Sequence, residues 1–120
     1  MAAIKVLVCG AAGKMGSEVV RAVAREDDLT LVGAVDKQHA GQDIGAIAGL
    51  GDLGLPIADN LENAIAAAAP QVMVDFTVPG QAIGNIRTAL GQKVACVIGT
   101  TGFSQDDLDE IARLCADNET

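Results

Sequence analysis

Aromatic residues are almost missing from the sequence, which has no tryptophan, no tyrosine and only two phenylalanines among its 120 residues. A hydrophobic core must therefore be built from valine, isoleucine, leucine and alanine, and half of the chain is hydrophobic. Such a composition favours an α/β fold over an all-β fold. A chain of this length can form one domain with a substantial core, which we expect to span residues 1–120.

Cysteine and histidine are also scarce, and this limits the possible chemistry. Cys9, Cys96 and Cys115 lie far apart and include no C-x-x-C pair. We interpret them as reduced, buried side chains rather than as redox or metal-binding groups. His39 is the only histidine and lies in a polar, glycine-containing loop, which favours a solvated side chain. Since one histidine without clustered cysteines or acids does not make a metal site, we expect none.

The chain has no basic run either. Eight lysines and arginines stand against sixteen aspartates and glutamates, which gives a net charge of −8. This balance disfavours binding to nucleic acid or to an anionic membrane. No apolar stretch approaches the roughly 18 residues of a membrane span, and the first residues lack the apolar region of a signal peptide. We therefore expect a soluble, cytoplasmic protein that binds neither nucleic acid nor membrane.

A glycine-rich segment follows an apolar run near the start of the chain, I-K-V-L-V-C-G-A-A-G-K-M-G at residues 4–16. The apolar run is typical of a buried strand in a parallel sheet. Gly10, Gly13 and Gly16 follow it, and apolar residues at helical spacing then predict a helix. The residues predicted for the buried face of that helix are Met15, Val19, Ala22 and Val23.

This order of strand, glycine turn and helix is typical of a dinucleotide-binding βαβ unit, in which backbone N–H groups and a helix N-terminus lie against a pyrophosphate. Gly10 would allow the tight turn, Gly13 the close approach of the ligand, and Gly16 the packing of the helix against its strand. The spacing G-x-x-G-x-x-G is one residue longer than the common G-x-G-x-x-G. Taken alone, the pattern also fits an ordinary turn.

A carboxylate and a lysine follow the second predicted strand, Leu29 to Val35. Asp36 lies twenty residues after Gly16, the distance at which dinucleotide-binding folds place the acid that binds the adenosine ribose. Lys37 next to it could attract a 2′-phosphate, so the pair predicts binding of both NADH and NADPH. A solvated acid and a solvated lysine at a strand end are the alternative.

A glycine-rich excursion at residues 40–58 interrupts the alternation of strands and helices. We expect a helical turn in it near Ile44 to Ala48. We also expect a short strand from Leu55 to Ala58, at an edge of the sheet because Pro56 is tolerated only there.

The second half of the chain predicts further strands and helices. A helix capped by Asp59 and Glu62 should end before Pro70. After it come a strand from Val72 to Phe76, a helix from Pro79 to Leu90, a strand from Val94 to Ile98, and a helix capped by Ser104 and Asp107 with Leu108, Ile111, Ala112 and Cys115 on its buried side. The sequence thus predicts a Rossmann-type, doubly wound α/β fold, with a mainly parallel sheet and helices on both faces.

Four segments together resemble the dihydrodipicolinate reductases, which are NAD(P)H-dependent enzymes of lysine biosynthesis. They are G-A-A-G-K-M-G at residues 10–16, Asp36-Lys37, D-F-T at residues 75–77 and V-I-G-T-T-G-F at residues 97–103. The resemblance runs from about residue 4 to residue 116. It implies reduction of a cyclic, dihydrodipicolinate-type dicarboxylate to tetrahydrodipicolinate with NADH or NADPH, by an enzyme that is a homo-oligomer, a tetramer in the family, when full length.

The resemblance also implies which residues hold the cofactor. Those expected at the pyrophosphate are Gly10, Ala11, Ala12, Gly13, Lys14 and Met15. Asp36 is expected at the adenine ribose and Lys37 at the 2′-phosphate. Those expected at the nicotinamide end are Phe76, Gly99, Thr100 and Thr101.

The match does not extend to the catalytic groups of the family. Its histidine pair, its lysine and its S-G-T stretch belong to a later, C-terminal substrate domain, and no position of this chain corresponds to them. We therefore expect a cofactor-binding domain without catalytic residues, which binds cofactor but shows no turnover. One alternative is a short-chain dehydrogenase or reductase, whose Tyr-x-x-x-Lys cannot exist in a chain without tyrosine. Another is a nucleotide-sensing or CoA-binding Rossmann module without hydride chemistry.

Overall fold

A computed structural model of the protein describes residues 3–99 and 102–118. Within these ranges the chain forms four strands and five helices. They are β1 (Ile4–Cys9), α1 (Lys14–Arg25), β2 (Leu29–Val35), α2 (Ile44–Ala48), α3 (Leu61–Ala68), β3 (Val72–Asp75), α4 (Pro79–Gly91), β4 (Ala95–Ile98) and α5 (Gln105–Asn118). Apart from the short edge strand expected in the excursion, their order and type agree with the prediction.

The sheet is entirely parallel, with the strand order β2-β1-β3-β4. The chain runs outward from β1 to β2 and then crosses back to β3 on the other side of β1, which is the doubly wound arrangement predicted. Cys9 at the end of β1 pairs with Val35 of β2 and with Asp75 of β3, and Asp75 pairs with Ile98 of β4. The carboxyl ends of the four strands therefore lie along one edge of the sheet.

Side chains of β1 alternate between the two faces of the sheet, and helices cover both faces. Val6 and Val8 pack with residues of α1 and α2, whereas Leu7 and Cys9 pack with residues of α3 and α4. Burial of one such aliphatic side chain stabilises a fold by about 1.5–3 kcal/mol. The two clusters make β1 the centre of the core, and they confirm the predicted α/β architecture.

The buried face of α1 agrees with the prediction at Val23, which is buried, and at Val19, which is half-buried against the core, but differs at the other positions. Met15 is 53% exposed and Ala22 is exposed as well. The buried residues are Gly16, Ser17, Val20 and Val23. The helix begins directly at the glycine loop, so the contact of Gly16 with that loop sets the rotation of the helix about its axis. Val20 and Val23, four and seven positions after Gly16, then face the sheet.

The excursion at residues 40–58 contains the predicted helix α2 but no regular edge strand. Its later part forms two isolated bridges, Val35 with Ala58 in parallel and Asp43 with Pro56 in antiparallel. The Asp43 carboxylate instead accepts the N–H groups of Ala46, Leu53 and Leu55 at 3.2, 2.9 and 2.7 Å. Within the expected strand, the Leu55 N–H therefore bonds to a side chain, Pro56 has no N–H, and the Ile57 N–H donates to the Gln42 carbonyl at 2.8 Å. Only Ala58 bonds to the β2 side, so a continuous strand ladder does not form.

One of the two predicted helix caps is wrong. Asn60, rather than Asp59 with Glu62, caps α3, and its side chain accepts the Asn63 N–H at 2.9 Å. The helix starts one residue later than the capping pattern requires. The cap of α5 is confirmed, since Ser104 accepts the Asp107 N–H at 3.1 Å and Asp107 accepts the Ser104 N–H at 3.3 Å.

The predicted buried side of α5 is only partly covered. Leu108 is 47% exposed and Ala112 is exposed, whereas Ile111 and Cys115 are half-buried. The helix packs mainly against α4, and an ion pair between Arg87 and Glu110 joins the two helices. The apolar spacing thus identified the helix correctly but overestimated its burial.

The thiols also differ in burial. Cys9 is buried, as expected, while Cys96 and Cys115 are half-buried. Burial raises the pKa of Cys9 far above its usual value and that of Cys96 to about 11, so both remain protonated at neutral pH. In residues 3–99 and 102–118 no group of three or more His, Cys, Asp and Glu side chains could hold a metal ion. No helix in those ranges is both long and apolar enough to cross a bilayer.

Candidate functional site

The loops that follow β1, β2 and β3 surround a cavity of about 410 Å³ at the carboxyl edge of the sheet. In open α/β sheets, ligands bind at this edge where the strand order reverses, and here the reversal lies between β1 and β3. The cavity is lined by Cys9, Gly10, Val35, Asp36, Lys37, Gln38, Asp59, Leu61, Thr77, Gln81 and Asn85.

Two close backbone contacts shape the glycine loop between β1 and α1. Gly10 has a φ of +76°, a conformation that glycine adopts without strain, and its N–H donates to the Val35 carbonyl at 2.8 Å. A Cβ on Gly16 would lie 1.9 Å from the Gly10 carbonyl oxygen. Since a side chain there would push the helix away, Gly16 lets the first turn of α1 rest directly on the loop, in line with its predicted packing role.

The start of α1 offers backbone rather than side chains. Gly13 is the N-cap residue and has no side chain with which to cover the first turn. Lys14 and Met15, which begin the helix, are exposed. The N–H groups of a first helical turn have no acceptor within the helix and carry the positive end of its dipole. The start of the helix therefore suits an anionic group.

Asp36 lies at the end of β2, directly beside the glycine loop. Its Oδ2 accepts the Ala12 N–H at 3.0 Å, and its Oδ1 accepts the Gln38 N–H at 2.9 Å. The carboxylate is half-buried and the neighbouring Lys37 is exposed, and both line the cavity. The structure thus brings Gly10, Ala12, Asp36 and Lys37 together at one end of the sheet edge.

Phe76 and Gly99 meet at the other end of that edge. A Cβ on Gly99 would lie 2.1 Å from the Phe76 ring, so the ring lies against the Gly99 backbone. The Phe76 N–H donates to the Cys9 carbonyl at 3.2 Å, and the Gly99 N–H donates to the Asp75 carbonyl at 2.9 Å. These bonds continue the sheet beyond the ends of β3 and β4. The predicted residues Thr100 and Thr101 lie outside the described residues.

Sequence reasoning missed most of the cavity wall as a binding surface. Thr77 belongs to the D-F-T segment on which the family resemblance rests. The other lining residues that were not predicted to bind are Cys9, Val35, Gln38, Asp59, Leu61, Gln81 and Asn85. Gln81 and Asn85 could have been found, because polar residues four positions apart share one face of a helix that begins just after a strand end. The loop residues gave no such signal, since their course depends on the tertiary fold.

His39 lies in the loop that leaves the site, with a φ of 62° and an exposed side chain. It is not one of the cavity-lining residues. Its position agrees with a solvated loop residue rather than with a base or a ligand in the cavity.

Known proteins resemble this chain in both sequence and structure. A family model described as dihydrodipicolinate reductase, N-terminus, matches residues 4–120. The 4-hydroxy-tetrahydrodipicolinate reductase of Moorella thermoacetica is 49% identical over 115 residues, which cover 96% of this chain and 43% of that protein. The enzyme of the same name from a Cyanothece species is 50% identical over 116 residues, which cover 92% of this chain and 42% of that protein.

A solved structure shows the same relation. Dipicolinate-bound dihydrodipicolinate reductase from a Paenisporosarcina species matches with a TM-score of 0.81 at 32% identity, over 98% of this chain and 44% of that one. The chain therefore spans less than half the length of these relatives. With the match of the family model over nearly its whole length, the chain belongs to the dihydrodipicolinate reductase family and corresponds to the N-terminal domain of its members.

Proposed function

We propose that this chain binds NADH and NADPH along the carboxyl edge of its sheet, as the cofactor-binding domain of a dihydrodipicolinate-type reductase. The observation that carries the proposal is the order of groups along that edge. Asp36 follows β2, Gly10 follows β1, Phe76 follows β3 and Gly99 follows β4, while the strands lie in the order β2-β1-β3-β4. An extended dinucleotide with adenosine at β2 and nicotinamide near β3 and β4 has its pyrophosphate at the glycine loop.

The adenosine end would be held by the pair that follows β2. The Asp36 carboxylate accepts one N–H on each oxygen, and because a carboxylate has about four acceptor positions, it can still accept from ribose hydroxyls. Its charge disfavours a 2′-phosphate, whereas the exposed Lys37 beside it attracts one. The pair therefore admits both cofactors and favours neither strongly.

The pyrophosphate fits the residues of the loop. Gly10 and Gly13 have no side chains, Ala11 and Ala12 have only methyl groups, and the bare N-terminus of α1 follows. Lys14 and Met15 are exposed and can turn toward or away from the phosphates. Backbone N–H groups at a helix N-terminus recognise phosphate without a net positive charge on the protein, which suits a chain of net charge −8.

The nicotinamide end would lie by Phe76 and Gly99, where the aromatic ring offers an apolar surface. The carboxamide of nicotinamide needs both a donor and an acceptor, which backbone groups of Gly99, Thr100 and Thr101 can supply. For the two threonines this assignment rests on the family resemblance alone.

In the complete enzyme, we propose that the bound cofactor supplies a hydride to a cyclic, dihydrodipicolinate-type intermediate and yields tetrahydrodipicolinate in lysine biosynthesis. This chain would bind and orient the cofactor, and it has no counterpart of the family's catalytic histidines and lysine. The 120-residue chain should therefore show no reductase turnover, and measurable turnover would show that the catalytic groups were misplaced. A cytoplasmic location and a homo-oligomeric full-length enzyme stay predictions.

Calorimetric titration of the 120-residue chain with NADH, NADPH and CoA tests the proposal. We expect one site per chain for each nicotinamide cofactor and no heat of binding for CoA. Binding of CoA without binding of either nicotinamide cofactor would instead favour a CoA-binding Rossmann module without hydride chemistry.

A further inference from the structure

Asp75 is a carboxylate for which the function proposed above has no use. It ends β3 at the cavity edge of the sheet and is fully buried. Ser17 is the other buried polar side chain in the described parts of the protein. Burial of a carboxyl group is unfavourable unless hydrogen bonds satisfy it. Its partners therefore indicate what the residue does.

Three donors satisfy the Asp75 carboxylate, and they come from two residues. Thr77 donates its N–H to Oδ1 at 2.7 Å and its hydroxyl to the same oxygen at 2.6 Å. Asn85 donates its side-chain amide to Oδ2 at 2.8 Å. One oxygen thus holds the turn after β3, and the other holds the second turn of α4.

Both partners line the cavity, whereas Asp75 itself does not. Gln81, one helical turn before Asn85 on α4, also lines it. The carboxylate therefore lies behind this wall and ties its two parts, the turn and the helix, to the same strand end. Asp36 and Lys37 line the same cavity from the end of β2.

We infer that Asp75 is a positioning residue of the cofactor site, which holds Thr77 and Asn85 in place as a wall of the cavity without touching the ligand. The inference rests on the proposed function, because it takes the cavity to hold the nucleotide. It follows that cofactor affinity depends on matching each acceptor of residue 75 with a donor. A buried side chain of similar size without these hydrogen bonds would not be enough.

An exchange of partners tests this pairing. In Asp75→Asn, the remaining oxygen still accepts from Thr77, and Asn85 can turn its amide to present its oxygen to the new NH₂ group, so the Kd for NADH should change less than about threefold. Asn85→Asp places two carboxylates against each other and should weaken NADH binding about tenfold or more. The double variant Asp75→Asn/Asn85→Asp again pairs an amide with a carboxylate and should return to within about threefold of the wild type.

Asp43→Ala is a matched control for loss of stability. Asp43 also accepts three hydrogen bonds, but its partners Ala46, Leu53 and Leu55 do not line the cavity. This variant should melt at a lower temperature than the wild type and bind NADH with the same Kd. Asp75→Ala, where it folds, should lower both the melting temperature and the affinity.

These measurements distinguish a failure of the role inferred for Asp75 from a failure of the proposed function on which it rests. If the wild type binds NADH and Asn85→Asp binds equally well at a lower melting temperature, Asp75 has a structural role only and the inference is wrong. A double variant that stays as weak as Asn85→Asp also overturns it. If the wild-type chain does not bind NADH or NADPH, the proposed function itself fails, and the inference fails with it.

Discussion

The ends of β2 and β3, the two strands that flank β1, carry matching aspartates in different surroundings. Each carboxylate accepts the N–H of the residue two positions later, Asp36 from Gln38 at 2.9 Å and Asp75 from Thr77 at 2.7 Å. Asp36 is half-buried and lines the cavity, while Asp75 is fully buried behind it. The same local turn thus occurs on both sides of the glycine loop.

The second hydrogen-bond partner of each aspartate explains why the two carboxylates differ in burial. The other oxygen of Asp36 accepts from Ala12 in the glycine loop, and that of Asp75 accepts from Asn85 in α4. Asp36 keeps acceptor positions open toward the cavity, whereas the donor residues around Asp75 separate that carboxylate from the cavity. Burial, rather than residue type or local turn, therefore distinguishes the aspartate that we propose to bind ligand from the one that we propose to support the site.

The largest effect should come from a change that displaces the loop between the two aspartates. In Gly16→Ala, the new Cβ would lie 1.9 Å from the Gly10 carbonyl oxygen, and such overpacking typically costs about 1–3 kcal/mol of stability. We expect lower stability in denaturant titrations and loss of measurable NADH binding. Gly84→Ala is the control, because a Cβ there meets nothing within 4 Å and should stabilise the helix by roughly 0.5–1 kcal/mol. A Gly16→Ala variant as stable as Gly84→Ala would contradict the close contact.

The next effect concerns Asp36 itself. Asp36→Ala would remove the proposed charged hydrogen bond to the ribose, worth about 1.5–3 kcal/mol, and should weaken NADH binding about tenfold or more. The loss for NADPH should be smaller, because the variant also removes repulsion of the 2′-phosphate. Asp52→Ala removes an exposed acid that does not line the cavity and should leave both affinities nearly unchanged. Equal losses for Asp36→Ala and Asp52→Ala would contradict a specific ribose contact.

The sequence predicted those features of the strands and strand ends that depend on residues close together in the chain. Apolar β-branched runs located all four strands, and the glycine spacing with Asp36 twenty residues later identified the first βαβ unit. These signals are strong because each depends only on the hydrophobic period of a short segment and on the residues of one turn. The cap of α5 at Ser104 was found for the same reason.

Features that depend on contacts between distant segments could not be predicted. The rotation of α1 follows from the contact between Gly16 and Gly10. The loss of the edge strand follows from the bonds that the Leu55 and Ile57 N–H groups make to Asp43 and Gln42 instead of to β2. The role inferred for Asp75 depends on its meeting with Asn85, ten residues later on another element. Spacing marks Asp75 as a strand-end acid, but only the fold shows that it is covered.

Lys37→Ala should have a smaller and selective effect. Lys37 is exposed, and exposed charge pairs contribute about 0.2–1 kcal/mol, so NADPH should bind up to about fivefold more weakly. NADH, which has no 2′-phosphate, should bind as before and serves as the internal control. The selectivity should shrink as salt is added, because screening weakens exposed charges. Equal losses for both cofactors would contradict the assignment of Lys37 to the phosphate.

Asp43 is a third aspartate whose carboxylate accepts backbone N–H groups, and it lies away from the cavity. Backbone N–H groups, first that of Leu53 and then those of Leu55 and Ala46, hold the pKa of Asp43 below its usual 3.8. Because the unfolded chain binds this proton more tightly than the folded one, the stabilising contribution is fully present above about pH 4 to 5 and is lost as the pH falls through the lowered folded pKa. Denaturant titrations between pH 6 and pH 3 should therefore show the wild type converging toward Asp43→Asn at low pH. A difference between the two proteins that stays constant over this range would show that the charge of Asp43 does not hold the excursion in place.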